Sequence, residues 1–190
     1  MPTDAISLGA INGADDAAAA RMILPFIERS PLLAARVARH RPFADPHALA
    51  DAVRTEIAAL TPDELIAFLS GHPELAPVAP ERMTAHSQQE QARLGLAVPD
   101  AAACARLAEL NRRYRDKFGF PFIVALVRHP DLESVVGAFV RRLSSTAEEE
   151  MRAARDEIAA VSEARIVSTL GTGDDAPGER SASAPWSALG

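Results

Sequence analysis

Apolar residues recur along this chain at helical rather than strand spacing. In "HALADAVRTEIAAL", Leu49, Val53, Ile57 and Leu60 return every three or four positions, which puts them on one face of an amphipathic helix. Asp45-Pro46 just ahead reads as a cap followed by a first-turn proline. The Ala-rich stretch from about Ala17 to Glu28 predicts a helix, and Pro31 can start another. Thr61-Pro-Asp-Glu64 has the spacing of a capping box, in which two side chains satisfy backbone N–H groups of the first turn. "DELIAFLS" is therefore a short helix, and Gly71 is its stop. Thr146-Ala-Glu-Glu149 has the same spacing and opens a long final helix, followed by Met151, Ala154, Ile158, Val161, Arg165 and Ile166. Ser87-Gln-Gln-Glu90 reads as a third box, before "QARLGL". Asp100 caps a helix through "AAACARLAELNRRYRDKF" to Gly119, and "LESVVGAFVRRL" makes another near 132–143.

One segment departs from this pattern. Phe120-Pro-Phe-Ile-Val-Ala-Leu-Val127 is a continuous apolar run between Gly119 and Arg128-His-Pro130. Its early proline and β-branched residues predict a buried extended piece, with a short helix as the alternative. The expected fold is an all-α, single-domain bundle of about eight to nine helices, with one buried extended segment near 120–127. The stretch "GTGDDAPGERSASAPWSALG" is rich in Gly, Ser, Pro and charge. It predicts a flexible tail over 171–190, leaving 1–170 as the helical domain.

Composition narrows the partners. The 190 residues are 48% hydrophobic and only 5% aromatic, so Leu, Ala, Val and Ile must fill most of the core. A formal charge of -6 argues against nucleic acid or an anionic membrane surface as partner, while a few local arginines could still bind an anionic small molecule. Cys104 is the single cysteine, which excludes an intrachain disulfide and a multi-cysteine metal site and fits a reducing compartment. The N-terminus lacks a basic start before an apolar core, and no apolar run reaches the ~18 residues of a membrane span. A cytoplasmic protein with no membrane partner is expected.

Three places could carry chemistry. His72 lies between Gly71 and Pro73, on a corner that fixes its ring. It is either a proton-transfer group held by rigid helices or a terminal histidine hydrogen-bonded to loose helix carbonyls. Ser87, Glu90 and Gln91 would offer a hydroxyl, a carboxylate and an amide at a helix start, unless the first two are spent on capping. His86 and Glu90 are four apart, but no third ligand follows at a recognisable spacing, so no metal site is expected. Arg165 sits within the apolar stripe of the last helix, where a buried guanidinium meets a carboxylate of the protein or of a ligand. "RRYR" at 112–115 and Arg141-Arg142 read as solvated helix faces.

Order and spacing add what these signals lack singly. "HPELA" at 72–76, "SQQEQ" at 87–91 followed by "LGL", and "LNRRYRDKFGFPFIV" at 110–124 together resemble the 2-oxo-4-hydroxy-4-carboxy-5-ureidoimidazoline (OHCU) decarboxylase family of urate degradation. The resemblance runs from about Ala17 to Leu170 and includes "RPF" at 41–43; "KFGFPFIV" is its most specific part. It implies an all-helical, cofactor-free homodimeric lyase that decarboxylates OHCU to (S)-allantoin. It also assigns roles: catalysis to His72 and Glu90, and substrate binding to Pro73, Ser87, Gln91, Phe120, Phe122, Ile123, Val124 and Arg165. Where the family often has tryptophan after "ESP", this chain reads Glu28-Arg-Ser-Pro-Leu32.

The implied chemistry suits the inventory. The OHCU carboxylate leaves from a hydroxyl-bearing carbon beside an electron-withdrawing ring, so the residual electron pair is delocalised without a metal or organic electron sink. Two other readings remain: a non-catalytic helical interaction module, and an enzyme of the same fold acting on a related ureido compound. The module predicts that His72, Glu90 and Arg165 lie apart or exposed; an enzyme predicts that they share a pocket with Gln91.

Overall fold

The structure, a computed structural model, describes residues 6–28, 30–77, 79–96 and 101–171. Among these are nine α-helices and no strand. Helices α1 (Leu8–Gly13), α2 (Asp16–Ile23), α3 (Pro31–Ala38) and α4 (Pro46–Ala58) form the first half, with a 3-10 turn at Leu24–Ile27. Then come α5 (Pro62–Ser70), α6 (Ala85–Arg93), α7 (Ala101–Phe118), α8 (Leu132–Arg142) and α9 (Ala147–Leu170). The caps that bound them follow the sequence closely. Asp45 accepts the Ala48 N–H ahead of α4, and both Thr61–Glu64 and Thr146–Glu149 close complete capping boxes. Asp100 and, apart from Gly171, the tail expected over 171–190 lie outside the described residues.

The stripe Leu49, Val53, Ile57 and Leu60 is buried as its spacing predicts, and it turns α4 toward α9. Helix α3 packs on α2 and α4, extending the same core through Ile23, Phe26, Leu33 and Val37. A second part of that core is aromatic. Tyr114 of α7 lies 4.7–6.0 Å, ring centre to ring centre, from Phe118, Phe120, Phe122 and Phe139.

Residues 121–125 are buried and belong to neither helix nor strand, and Ala125 at their end has extended torsions. Gly119, at φ +81°, makes the left-handed turn out of α7 that an L side chain would strain. The buried run stops one residue early: a 3-10 turn at Leu126–Arg128 leaves Val127 63% exposed. A larger correction concerns the arginine pairs. Arg112, Arg113 and Arg115 are solvated, but Tyr114 between them is fully buried, and Arg142 turns inward onto buried Glu150. Helical period explains the first: Tyr114 shares a face with Leu107, Leu110 and Phe118, so one residue of a charged run points to the core.

Candidate functional site

The ends of several elements meet at one cavity. Helix α5 stops at Gly71, in ordinary helical torsions, and the chain enters the corner at His72-Pro73. Helix α6 brings Ser87, Glu90 and Gln91, the 121–125 segment brings Phe122, Ile123 and Val124, and α9 brings Arg165. Pro73 and these residues line the cavity together with His72. Apolar walls come from Leu75, Leu126, Ile158 and Val161. Phe120 is not in this lining; it packs on Tyr114 and Phe118 behind the wall. The cavity holds about 40 Å³, room for about three waters.

His72 is 8% exposed. Its Nδ1 lies 3.1 Å from the Phe68 carbonyl oxygen, which can only accept, so Nδ1 carries the proton of the neutral ring and Nε2 is left with its lone pair. Nε2 is buried and has no hydrogen-bond partner among the described residues. Burial pushes the imidazole pKa down to about 4; the Glu28 charge raises it and the Arg165 charge lowers it further. At neutral pH the ring is uncharged and its free nitrogen is a base.

Around Arg165 the side chains form a closed ionic cluster. Its Nε donates to Glu90 Oε1 at 2.7 Å and Nη2 to Glu90 Oε2 at 2.9 Å, a bidentate pair. Its Nη1 donates to Glu28 Oε2 at 2.6 Å, and Nη2 also reaches Ser87 Oγ at 3.1 Å. Ser87 in turn donates to Glu28 Oε2 at 2.9 Å, and the Thr84 hydroxyl donates to Oε1 at 3.0 Å. Two carboxylates thus share one guanidinium. Burial raises the Glu28 pKa, but the Arg165 charge and these hydrogen bonds outweigh it and hold the carboxyl below the usual range. For Arg165, burial lowers the pKa and the bonds and charges of Glu90 and Glu28 outweigh it, so the guanidinium is fully protonated.

Gln91 is engaged on both sides of its amide. Nε2 donates to the Glu74 carbonyl at 2.9 Å, and Oε1 accepts from the Ala76 N–H at 2.8 Å. Asn111 of α7 takes the intervening carbonyl of Leu75 at 2.9 Å. The turn that follows His72 is therefore fixed by two amide side chains.

The structure corrects one local reading and adds one residue. Ser87 is not the cap of α6; Thr84 is, accepting the Ser87 N–H at 3.2 Å, so Ser87 sits in the first turn with its hydroxyl free to face Glu28. Glu90 lies inside the helix, away from the free N-terminal amides. Glu28 is the polar member that sequence reasoning missed. Its backbone is left-handed, φ 45° and ψ 53°, at the end of the 3-10 turn, a conformation uncommon for a residue with a side chain. The one available signal was a carboxylate closing an Ala-rich apolar stretch. No group of three or more His, Cys, Asp or Glu residues able to hold a metal occurs among the described residues.

With this geometry in place, the comparisons with known proteins are specific. A family model described as OHCU decarboxylase matches residues 12–167. The chain is 37% identical over 147 residues to the 2-oxo-4-hydroxy-4-carboxy-5-ureidoimidazoline decarboxylase of Mus musculus, covering 76% of this chain and 82% of that one. Among solved structures, an (S)-allantoin synthase superposes with a TM-score of 0.67 at 22% identity over 87% of this chain. The match spans 54% of that longer chain, about half its length. An OHCU decarboxylase determined in the presence of (S)-allantoin superposes with a TM-score of 0.60 at 21% identity, covering 72% of this chain and 89% of that one. At such identities the two superpositions speak for the fold.

Proposed function

This chain belongs to the OHCU decarboxylase family, and on that premise we propose that its reaction takes place in the cavity between His72, Glu90 and the 122–124 wall. The protein is a carboxy-lyase that converts OHCU to (S)-allantoin and carbon dioxide in urate degradation. The observation that supports this site above any other is His72 itself: a neutral, buried ring whose Nδ1 is pinned and whose Nε2 has no partner among the described residues.

In this reading Nε2 takes the proton of the substrate hydroxyl as the carboxylate carbon leaves. The electron pair of the broken carbon–carbon bond passes into the imidazolinone ring, and a proton returned to the ring completes allantoin. Glu90, about a third exposed at its side chain, offers acceptors for ring and ureido N–H groups. Arg165 has four of its five N–H groups committed to Glu90, Glu28 and Ser87. Its first task is to hold Glu90, and a substrate oxygen has one donor left to meet. Gln91, bonded to the 74–76 turn, keeps one lone pair of Oε1 for a substrate N–H.

Freshly generated OHCU decays spontaneously to racemic allantoin, so optical rotation separates enzyme from background. The wild-type chain should give one enantiomer. His72→Ala should lose about 10²–10⁴ in rate, the usual worth of a general base, and Glu90→Gln should lose turnover as well. Full, stereospecific activity in His72→Ala would overturn the assignment.

Homodimeric assembly and a cytoplasmic setting belong to the same proposal. The family resemblance supports the first, and exposed Leu32, Val127 and Val140 are available to an interface. No helix among the described residues is long and apolar enough to cross a membrane. Light scattering that returned a monomer at micromolar concentration would remove the dimer.

A further inference from the structure

The wall of the site is a buried segment that belongs to neither helix nor strand. No strand lies beside it among the described residues, and three ionic side chains from three helices bond its backbone instead. Arg142 of α8 donates from Nη1 to the Ile123 carbonyl at 2.6 Å. Glu157 of α9 accepts the Ala125 N–H at 2.7 Å, and Arg93 of α6 donates to the carbonyls of Leu126 and His129. Of the three, Arg142 holds the part of the segment that faces the reaction. Its guanidinium carbon also lies 4.7 Å from the centre of the Phe122 ring, which stacks on Phe139 at 4.0 Å with 9° between planes. One guanidinium therefore fixes both the side chain of Phe122 and the carbonyl of Ile123.

What fixes Arg142 is Glu150, fully buried in the first turns of α9. Arg142 Nε lies 3.0 and 3.1 Å from the two Glu150 oxygens, its Nη2 donates to Oε1, and the buried Tyr114 hydroxyl donates to the same carboxylate. None of Arg142, Glu150 and Tyr114 lines the cavity. An ion pair buried this deeply is costly to desolvate and is weak evidence of a stability role; its geometry converges on the substrate wall.

We propose that Arg142, held by Glu150, is a positioning residue of the decarboxylation site, setting the Phe122–Ile123–Val124 wall against which the substrate ring binds. The proposal rests on the function assigned above. Arg142→Lys is the informative variant, because an ammonium can still pair with Glu150 but lacks the planar fork that reaches Ile123 and stacks on Phe122 at once. Val37→Ala, in the core of α3 away from the site, controls for lost stability. With both variants folded, Arg142→Lys should raise KM for OHCU about tenfold, the worth of one charge-assisted buried hydrogen bond, and leave kcat within about threefold. Hydrogen exchange over 120–126 should quicken in Arg142→Lys and not in Val37→Ala. Unchanged exchange in Arg142→Lys, quickened exchange with unchanged KM, or equal KM changes in both variants would each overturn the proposal. A wild-type chain inert toward OHCU would instead overturn the functional reading, while the exchange comparison would still decide whether Arg142 holds the wall.

Discussion

At the scale of single residues, the two nitrogens of His72 differ: one makes the hydrogen bond of a helix-terminal histidine, and the other is left for the proton transfer proposed above. Nδ1 behaves as a helix-terminal histidine, donating to the carbonyl four residues back, and Nε2 is left buried and basic. This has a thermodynamic consequence. Above pH 6.5, the ring's ordinary pKa, it is neutral in both folded and unfolded chains. As pH falls toward about 4, the unfolded chain takes up a proton that the folded chain refuses, so stability is lost across that window, by on the order of 3 kcal/mol at its lower end. Urea titrations of the wild type and His72→Gln from pH 7 to 4 should show a shallower decline in the variant. Parallel declines would mean that the ring is hydrated. The same low pKa puts the acid limb of kcat/KM near pH 4 rather than 6.5 if the free ring is the base.

Among the elements, α5 and α9 were legible because their caps are local. Thr61–Glu64 and Thr146–Glu149 close boxes because each needs only its own first turn. The pattern at Ser87–Glu90 matched the same rule and failed, since both side chains have stronger partners far away in the chain: Glu28 for Ser87 and Arg165 for Glu90. Thr84 supplies the cap three residues earlier and also holds Glu28. Thr84→Val should therefore cost more than an ordinary cap, about 2 kcal/mol in chemical denaturation rather than about 1, because a buried carboxylate loses a donor as well. A loss of only a few tenths would show that the Glu28 contact contributes nothing. Arg142 was misread for a related reason. Two arginines near a helix end normally face water, and a carboxylate eight residues on, across the α8–α9 turn, is not visible as a partner in helical periodicity.

The molecule as a whole assembles its site from pieces 137 residues apart in sequence, the separation of Glu28 and Arg165. A ligand that bridges α6, α9 and the 122–124 wall should tie these elements together. (S)-allantoin at a hundredfold its Kd should stabilise the folded chain by about 2.7 kcal/mol, read as a rise in Tm of several degrees by scanning calorimetry. A Tm indifferent to saturating (S)-allantoin would place binding elsewhere. All the described helices except α1, the caps at Asp45, Thr61 and Thr146 and the buried apolar run after Gly119 were legible in the sequence itself, because propensity, capping and periodicity act over a few residues, while His72, Glu90 and Arg165 were singled out by the order and spacing of motifs that resemble the family. Tertiary structure alone decided that Glu28 joins Arg165, that Gln91 and Asn111 hold the turn after His72, and that Arg142, paired with Glu150, bonds the Ile123 carbonyl. Those outcomes depend on which charged groups lose their water together when the helices pack, and no local rule sums that cost.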